Sequence, residues 1–148
     1  MIVLGIRCSK ENLDWAVVEG DHRGTASVAE HRKVSIPDEG RGAQLAWVRK
    51  EILELIERHM PKAVAVRVAE SGGQSVSLGR AEVEGVVQEA LHAARLDPVR
   101  HVAASIRGSF GARNRQDLDS TLLTVPVIKD TAASRRESVV SAVALLPA

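Results

Sequence analysis

The sequence predicts an α/β fold with five strands and three helices in the order β-β-β-α-β-α-β-α. Three observations point there. The first 36 residues hold three strand-like segments whose connections are too short for crossovers, so they form an antiparallel meander. A helical-period segment follows, and then "KAVAVRV", a short dense apolar run of the kind that sits in mid-sheet. A helix, a fifth strand and, after a long connection, a last helix follow.

Each element has its own signal. Ile2–Ile6 is an apolar run and predicts a buried strand. Lys10–Asp14 makes a polar turn, and "WAVVE" (Trp15–Glu19) predicts the second strand. The turn Asp21–Gly24 leads into Thr25–Ile36, which alternates loosely and predicts the third. Pro37–Gly42 is a loop. From Ala43 to His59, Leu45, Val48, Ile52, Leu55 and Ile56 recur at helical spacing, and Pro61 ends that helix. Lys62–Val68 predicts the fourth strand, followed by the glycine-containing loop "ESGGQS". Leu78–Leu96 predicts a helix with Val83, Val86, Val87, Ala90, Leu91 and Ala94 on one face. Pro98–Ala103 predicts the fifth strand. Gly108–Val127 shows no clear period and reads as a mobile connection. Thr131–Leu146 predicts a last helix, capped by Asp130 or Thr131.

Composition narrows the function classes. The 148 residues are expected to form one domain, 1–148, with 45% hydrophobic and 26% charged residues, as in a globular protein. Trp15, Trp47 and Phe110 are the only aromatics, so the core is aliphatic and base-stacking platforms are scarce. A formal net charge of +1 gives no global basic field, so any nucleic-acid signal is local. Cys8 is the only cysteine, which excludes an internal disulfide and thiolate zinc clusters. The N-terminus lacks signal-peptide features, and no apolar stretch approaches the ~20 residues of a membrane span. A cytoplasmic protein is expected.

Three stretches carry a resemblance. "VLGIRCS" is similar to a strand that ends in Asp-Pro-Gly in RuvC-type resolvases. "AVAVRVAESGGQSVSLGRAEVEGVV" resembles their fourth strand, its loop and the following helix. "SRRESVVSAVALL" resembles their last helix, in which acids precede small and aliphatic residues. The chain thus resembles the RuvC-type branch of the ribonuclease H-like superfamily, and more closely a small bacterial family of that fold with a degenerate active site and no established function. The resemblance implies a mixed five-stranded sheet, the first and fourth strands adjacent and parallel, with helices on both faces.

It also implies a site, and there this sequence departs from the pattern. Active members hold Mg²⁺ with acids from three elements. The first-strand acid falls on Arg7 and the fourth-strand acid on Arg67. The last-helix acids fall near Ser134 and Glu137, or Glu137 and Ser141. Two arginines ~5 Å apart repel by a few kcal/mol at an effective dielectric near 20, and arginine cannot shed its proton. The pair needs an anion: Glu70 and Glu137 are the internal candidates, a phosphate the external one.

Other constellations extend the picture. Pro98 to Gln116 carries Arg100, Arg107, Arg113, Arg115 and His101 without an acid. "SIRGSFGARNR" reads either as a phosphate-tracking loop or as a solvated flexible one. Phe110 within it either stacks on a ligand or anchors the loop. Arg135 and Arg136 sit unfavourably at a helix start; they are expected to pair with Glu137 or Asp130, the alternative being that they extend the anion surface. The five histidines lack metal-helix spacing, and neither a nucleophile elbow nor a P-loop occurs.

The function expected is that of a catalytically inactive RuvC-like pseudo-nuclease domain. It would bind DNA, RNA or a protein partner through Arg7, Arg67, Arg107, Arg113 and Arg115, with no metal, cofactor or membrane. One alternative is a homodimeric structural or interaction protein. The other is a divergent Mg²⁺ nuclease using Glu70 and Glu137, with Glu11, Asp14 and Asp130 nearby. A homo-oligomer is expected, and the signs at Arg7 and Arg67 argue against an enzyme.

Overall fold

The computed structural model describes residues 1–70 and 77–148. Five strands form one mixed sheet: β1 (Ile2–Cys8), β2 (Asn12–Glu19), β3 (Ser27–Ser35), β4 (Ala63–Arg67) and β5 (Val99–His101), in the order β3-β2-β1-β4-β5. β1, β2 and β3 are antiparallel neighbours, while β1–β4 and β4–β5 are parallel. The meander and the adjacent, parallel first and fourth strands are as the sequence and its resemblance imply. The expected loop after β4 falls mostly on residues 71–76, outside the described residues.

Side chains of a strand alternate between faces, and here both faces are covered. Leu4, Ile6 and Cys8 of β1 join Leu13, Trp15, Val17, Val64 and Val66 on one face. They pack against α1 (Arg41–His59) and α2 (Leu78–Ala93), which present Val48, Ile52, Leu55, Val83, Val87 and Leu91. Val3, Ala16 and Val18 face the other way, towards α3 (Ala103–Ser109), α4 (Arg115–Leu122), α5 (Pro126–Lys129) and α6 (Arg136–Val143).

α6 lies directly on β1, because Gly5 has no side chain to hold it off. A Cβ at residue 5 would stand 1.9 Å from the Ser138 carbonyl oxygen and 2.7 Å from the Ala142 nitrogen. Alanines on the flanking strands, Ala16 opposite Gly5 on β2 and Ala65 on β4, keep the row shallow. This contact sets the start of the last helix over the tips of β1 and β2. α1 ends at Met60, which is left-handed (φ 47°) and donates its N–H to Ile56 O, just before Pro61.

Two expectations are corrected. The stretch Gly108–Val127 is not a structureless connection: it holds the end of α3, all of α4 and the start of α5. These helices are of 7, 8 and 4 residues, too short to show a 3.6-residue period. The last helix is also shorter than Thr131–Leu146. A 3₁₀ turn (Ala133–Arg135) precedes α6, and neither Asp130 nor Thr131 caps it. The Thr131 hydroxyl donates instead to the Val127 carbonyl at 2.7 Å, and Asp130 closes α5. Among the described residues, no helix is long and apolar enough to cross a membrane.

Candidate functional site

The parallel register of β1 and β4 sets Arg7 directly beside Arg67. The antiparallel register of β1 and β2 sets Asp14 on Arg7's other side. Asp14, Arg7 and Arg67 therefore form one row on the α6 face of the sheet, at the carboxyl ends of β1 and β4. Two like charges side by side need counter-charge, and each arginine has its own. Arg7 Nε contacts Glu137 Oε2 in the first turn of α6. Arg67 Nη2 lies 3.5 Å from Glu70 Oε1, while its Nη1 donates to the carbonyls of Val68 and His101 at 3.3 and 3.2 Å. Glu70 is further pinned by the Ala103 N–H, which donates to it at 2.7 Å. That hydrogen bond, with the charges of Arg67 and Arg107, holds the Glu70 carboxyl below the ordinary carboxylate range.

Beyond these strand tips lies a cleft of about 560 Å³ between α3, α4 and α6. Arg67, Arg107, Arg115 and Arg136 line it, against the carboxylates of Asp119 and Glu137. Its walls are otherwise mostly aliphatic, with Ile106, Leu118, Leu122 and Val140 beside Ser141. Among the described residues, no ion pair engages Arg107, Arg115 or Arg136. The cleft is thus a concave surface with surplus positive charge, and guanidinium groups bind phosphate and carboxylate oxygens bidentately.

The residues singled out in the sequence are placed as follows. Arg67, Arg107 and Arg115 come together in the cleft, and Arg7 adjoins it through Glu137. Arg113 is not among the lining residues. It is 87% exposed and pairs with Asp117 at 3.4 Å. The expected pairing of Arg136 with Glu137 or Asp130 is not formed: its Nη2 donates to the Thr131 carbonyl at 2.9 Å, and its Nε is buried without a partner among the described residues. Glu137 is instead taken by Arg7. Phe110 is buried in the core of the α6 face, with the Arg23 guanidinium 4.3 Å above its ring, so it anchors its segment to the body.

Sequence reasoning missed a buried polar cluster beside the row. The Ser138 hydroxyl donates to Asp14 Oδ1 at 2.8 Å, and His31 Nε2 lies 2.9 Å from the same oxygen. The serine meets the carboxylate rather than the imidazole, so this is no nucleophile–base pair. It joins β2, β3 and α6 and removes Asp14 from the pool of available acids. His31 and Asp14 lie on different strands of a bulged hairpin, whose register no sequence spacing reveals.

A divalent cation does not fit this donor set. Hard cations need several carboxylate oxygens, whereas arginines occupy the tips of β1 and β4, and the nearby Glu70 and Glu137 are already engaged by them. Among the described residues, no group of three or more His, Cys, Asp or Glu side chains is placed to hold a metal ion.

No family model and no curated relative matches the chain. Solved structures do. RuvC of Thermus thermophilus superposes with a TM-score of 0.77 at 17% identity, covering 97% of this chain and 92% of its own. The same protein in complex with a Holliday junction substrate gives 0.75 at 18% identity, with 97% and 91% covered. The yeast mitochondrial Holliday junction resolvase gives 0.59 at 12% identity, with 96% and 77% covered. The chain therefore has the ribonuclease H-like fold in its RuvC-type form, over nearly its whole length.

Proposed function

We propose that this protein is a RuvC-like module that binds nucleic acid through the arginine cleft and does no metal-dependent cutting. The observation that carries the reading is the in-register pair Arg7 and Arg67, at strand tips where the resemblance implies metal-binding acids. Charge of that sign repels Mg²⁺ and attracts phosphate. The cleft next to it carries three further arginines that make no ion pair among the described residues. That one RuvC structure in this fold holds a Holliday junction substrate supports a four-way DNA junction as the first probe.

The test is fluorescence anisotropy with a labelled four-way junction and a duplex of equal length. Binding should weaken linearly in log–log salt plots, as counterion release requires. Arg107→Glu with Arg115→Glu should reduce affinity at least ~tenfold and flatten the salt slope by about 2. Incubation with Mg²⁺ or Mn²⁺ should leave both substrates intact. Cutting that disappears in Glu70→Gln or Glu137→Gln would overturn the inactive reading in favour of a divergent nuclease.

A second reading has its own support. Both arginines of the row are neutralised within the fold, by Glu137 and Glu70, as a structural or homodimeric interaction protein would require. A flat salt response, with unchanged sedimentation in the Arg107→Glu/Arg115→Glu variant, would favour it.

A further inference from the structure

The two counter-ions of the row are held very differently. Glu70 accepts the Ala103 N–H at 2.7 Å as well as facing Arg67, and Arg67 is itself tied to two backbone carbonyls. That pair is fixed at several points. Glu137 has Arg7 as its ion-pair partner among the described residues, and the two side chains are 54% and 34% exposed. Ion pairs of that exposure are weak; the Glu70 side chain is about as open, at 51%, but has the Ala103 N–H as a second anchor. Glu137 also lines the arginine cleft, so its carboxylate stands between Arg7 and whatever enters. Its backbone cannot retreat, because α6 rests on β1 at Gly5, but its side chain can swing outward.

We propose that Arg7 is a latent phosphate ligand and that Glu137 is the internal anion that masks it. This rests on the reading that the cleft binds nucleic acid. A backbone phosphate entering the cleft meets Arg67, Arg107 and Arg115 first. It then competes with the Glu137 carboxylate for Arg7: a phosphate can accept two parallel N–H bonds from the guanidinium, whereas the Glu137 contact is made at Nε. Glu137 thus weakens binding in the free protein and makes the last contact conditional on a phosphate that reaches the β1 tip. The carboxylate that would hold metal in a cutting relative would here set the threshold for binding.

The prediction is a gain of affinity that depends on Arg7. Wild type, Glu137→Gln, Arg7→Gln and the double variant are titrated against the labelled four-way junction, with thermal melts confirming that each folds. Glu137→Ser serves as a second unmasking variant. Glu137→Gln should bind about fivefold tighter, the size of one screened charge contact. Its salt slope should steepen by about 0.9, one additional phosphate neutralised. In the Arg7→Gln background the gain should vanish, as a double-mutant cycle would report for directly coupled groups. Binding by Glu137→Gln alone, with none by wild type, would also support masking. An equal gain in both backgrounds would overturn the proposal, since Glu137 would then merely repel the ligand. Absence of any gain while wild type binds would overturn it too, and would leave the cleft reading standing. Failure of both wild type and Glu137→Gln to bind would remove the cleft reading itself.

Discussion

Arg7 and Arg67 stand on neighbouring strands, yet their surroundings differ in a way that reaches a third residue. Arg67 lies close to His101, which is 5% exposed and has a buried Nδ1 without a partner among the described residues. Burial, and then the Arg67 charge, push the imidazole below its usual 6.5. The unfolded chain therefore binds this proton at a higher pH than the folded one. Stability is full above pH 6.5 and is lost as the pH falls through that value towards the folded pKa. Urea midpoints measured at pH 8 and pH 5 should differ for wild type and differ less for His101→Gln. Glu70 and Asp117, both held below the carboxylate range by backbone N–H groups and arginines, titrate in a separate, more acidic window. At this scale the Arg7–Arg67 pairing was legible, because two apolar runs each ending in arginine, set side by side by the resemblance, are enough to suggest it. The Asp14–Ser138–His31 cluster was not, since it needs three elements in known register.

Among elements, α6 matters most, since it brings Glu137 to Arg7 and Ser138 to Asp14. Its height above the sheet depends on Gly5. Gly5→Ala forces a methyl group into the Ser138 carbonyl and should cost about 3 kcal/mol in urea unfolding, through overpacking against backbone that cannot give way. Gly85→Ala is the matched control. Gly85 lies inside α2 with nothing within 4 Å of an added Cβ, so the same change there should stabilise by up to ~1 kcal/mol through helix propensity. The elements hardest to read were α3, α4 and α5. Signals were nevertheless present. The Asn114 side chain accepts the Asp117 N–H at 2.8 Å as an N-cap, and Pro126 opens α5. Both are local marks of a helix start that periodicity alone overlooks.

For the molecule as a whole, the sheet separates two aliphatic cores, and one arginine binds the second of them together. Arg23, in the turn between β2 and β3, donates to the carbonyls of Leu146, Ser109 and Ala144 and to the Ser109 hydroxyl, at 2.8 to 3.1 Å. It joins the sheet to α3 and to the end of α6 with no carboxylate partner among the described residues, and burial lowers its pKa. The net charge of +1 says nothing of where charge sits, and the cleft alone sets four arginines against two carboxylates. Composition alone hid that focus. The single thiol offers a way to watch this end of the sheet move. Cys8 follows Arg7 in β1, is fully buried, and is pushed up to about 12 by burial. A thiol so protected reacts with a disulfide reagent only when its strand opens. The rate of that chemistry is a built-in clock for breathing at the tip of β1, and a junction bound in the cleft should slow it in proportion to occupancy.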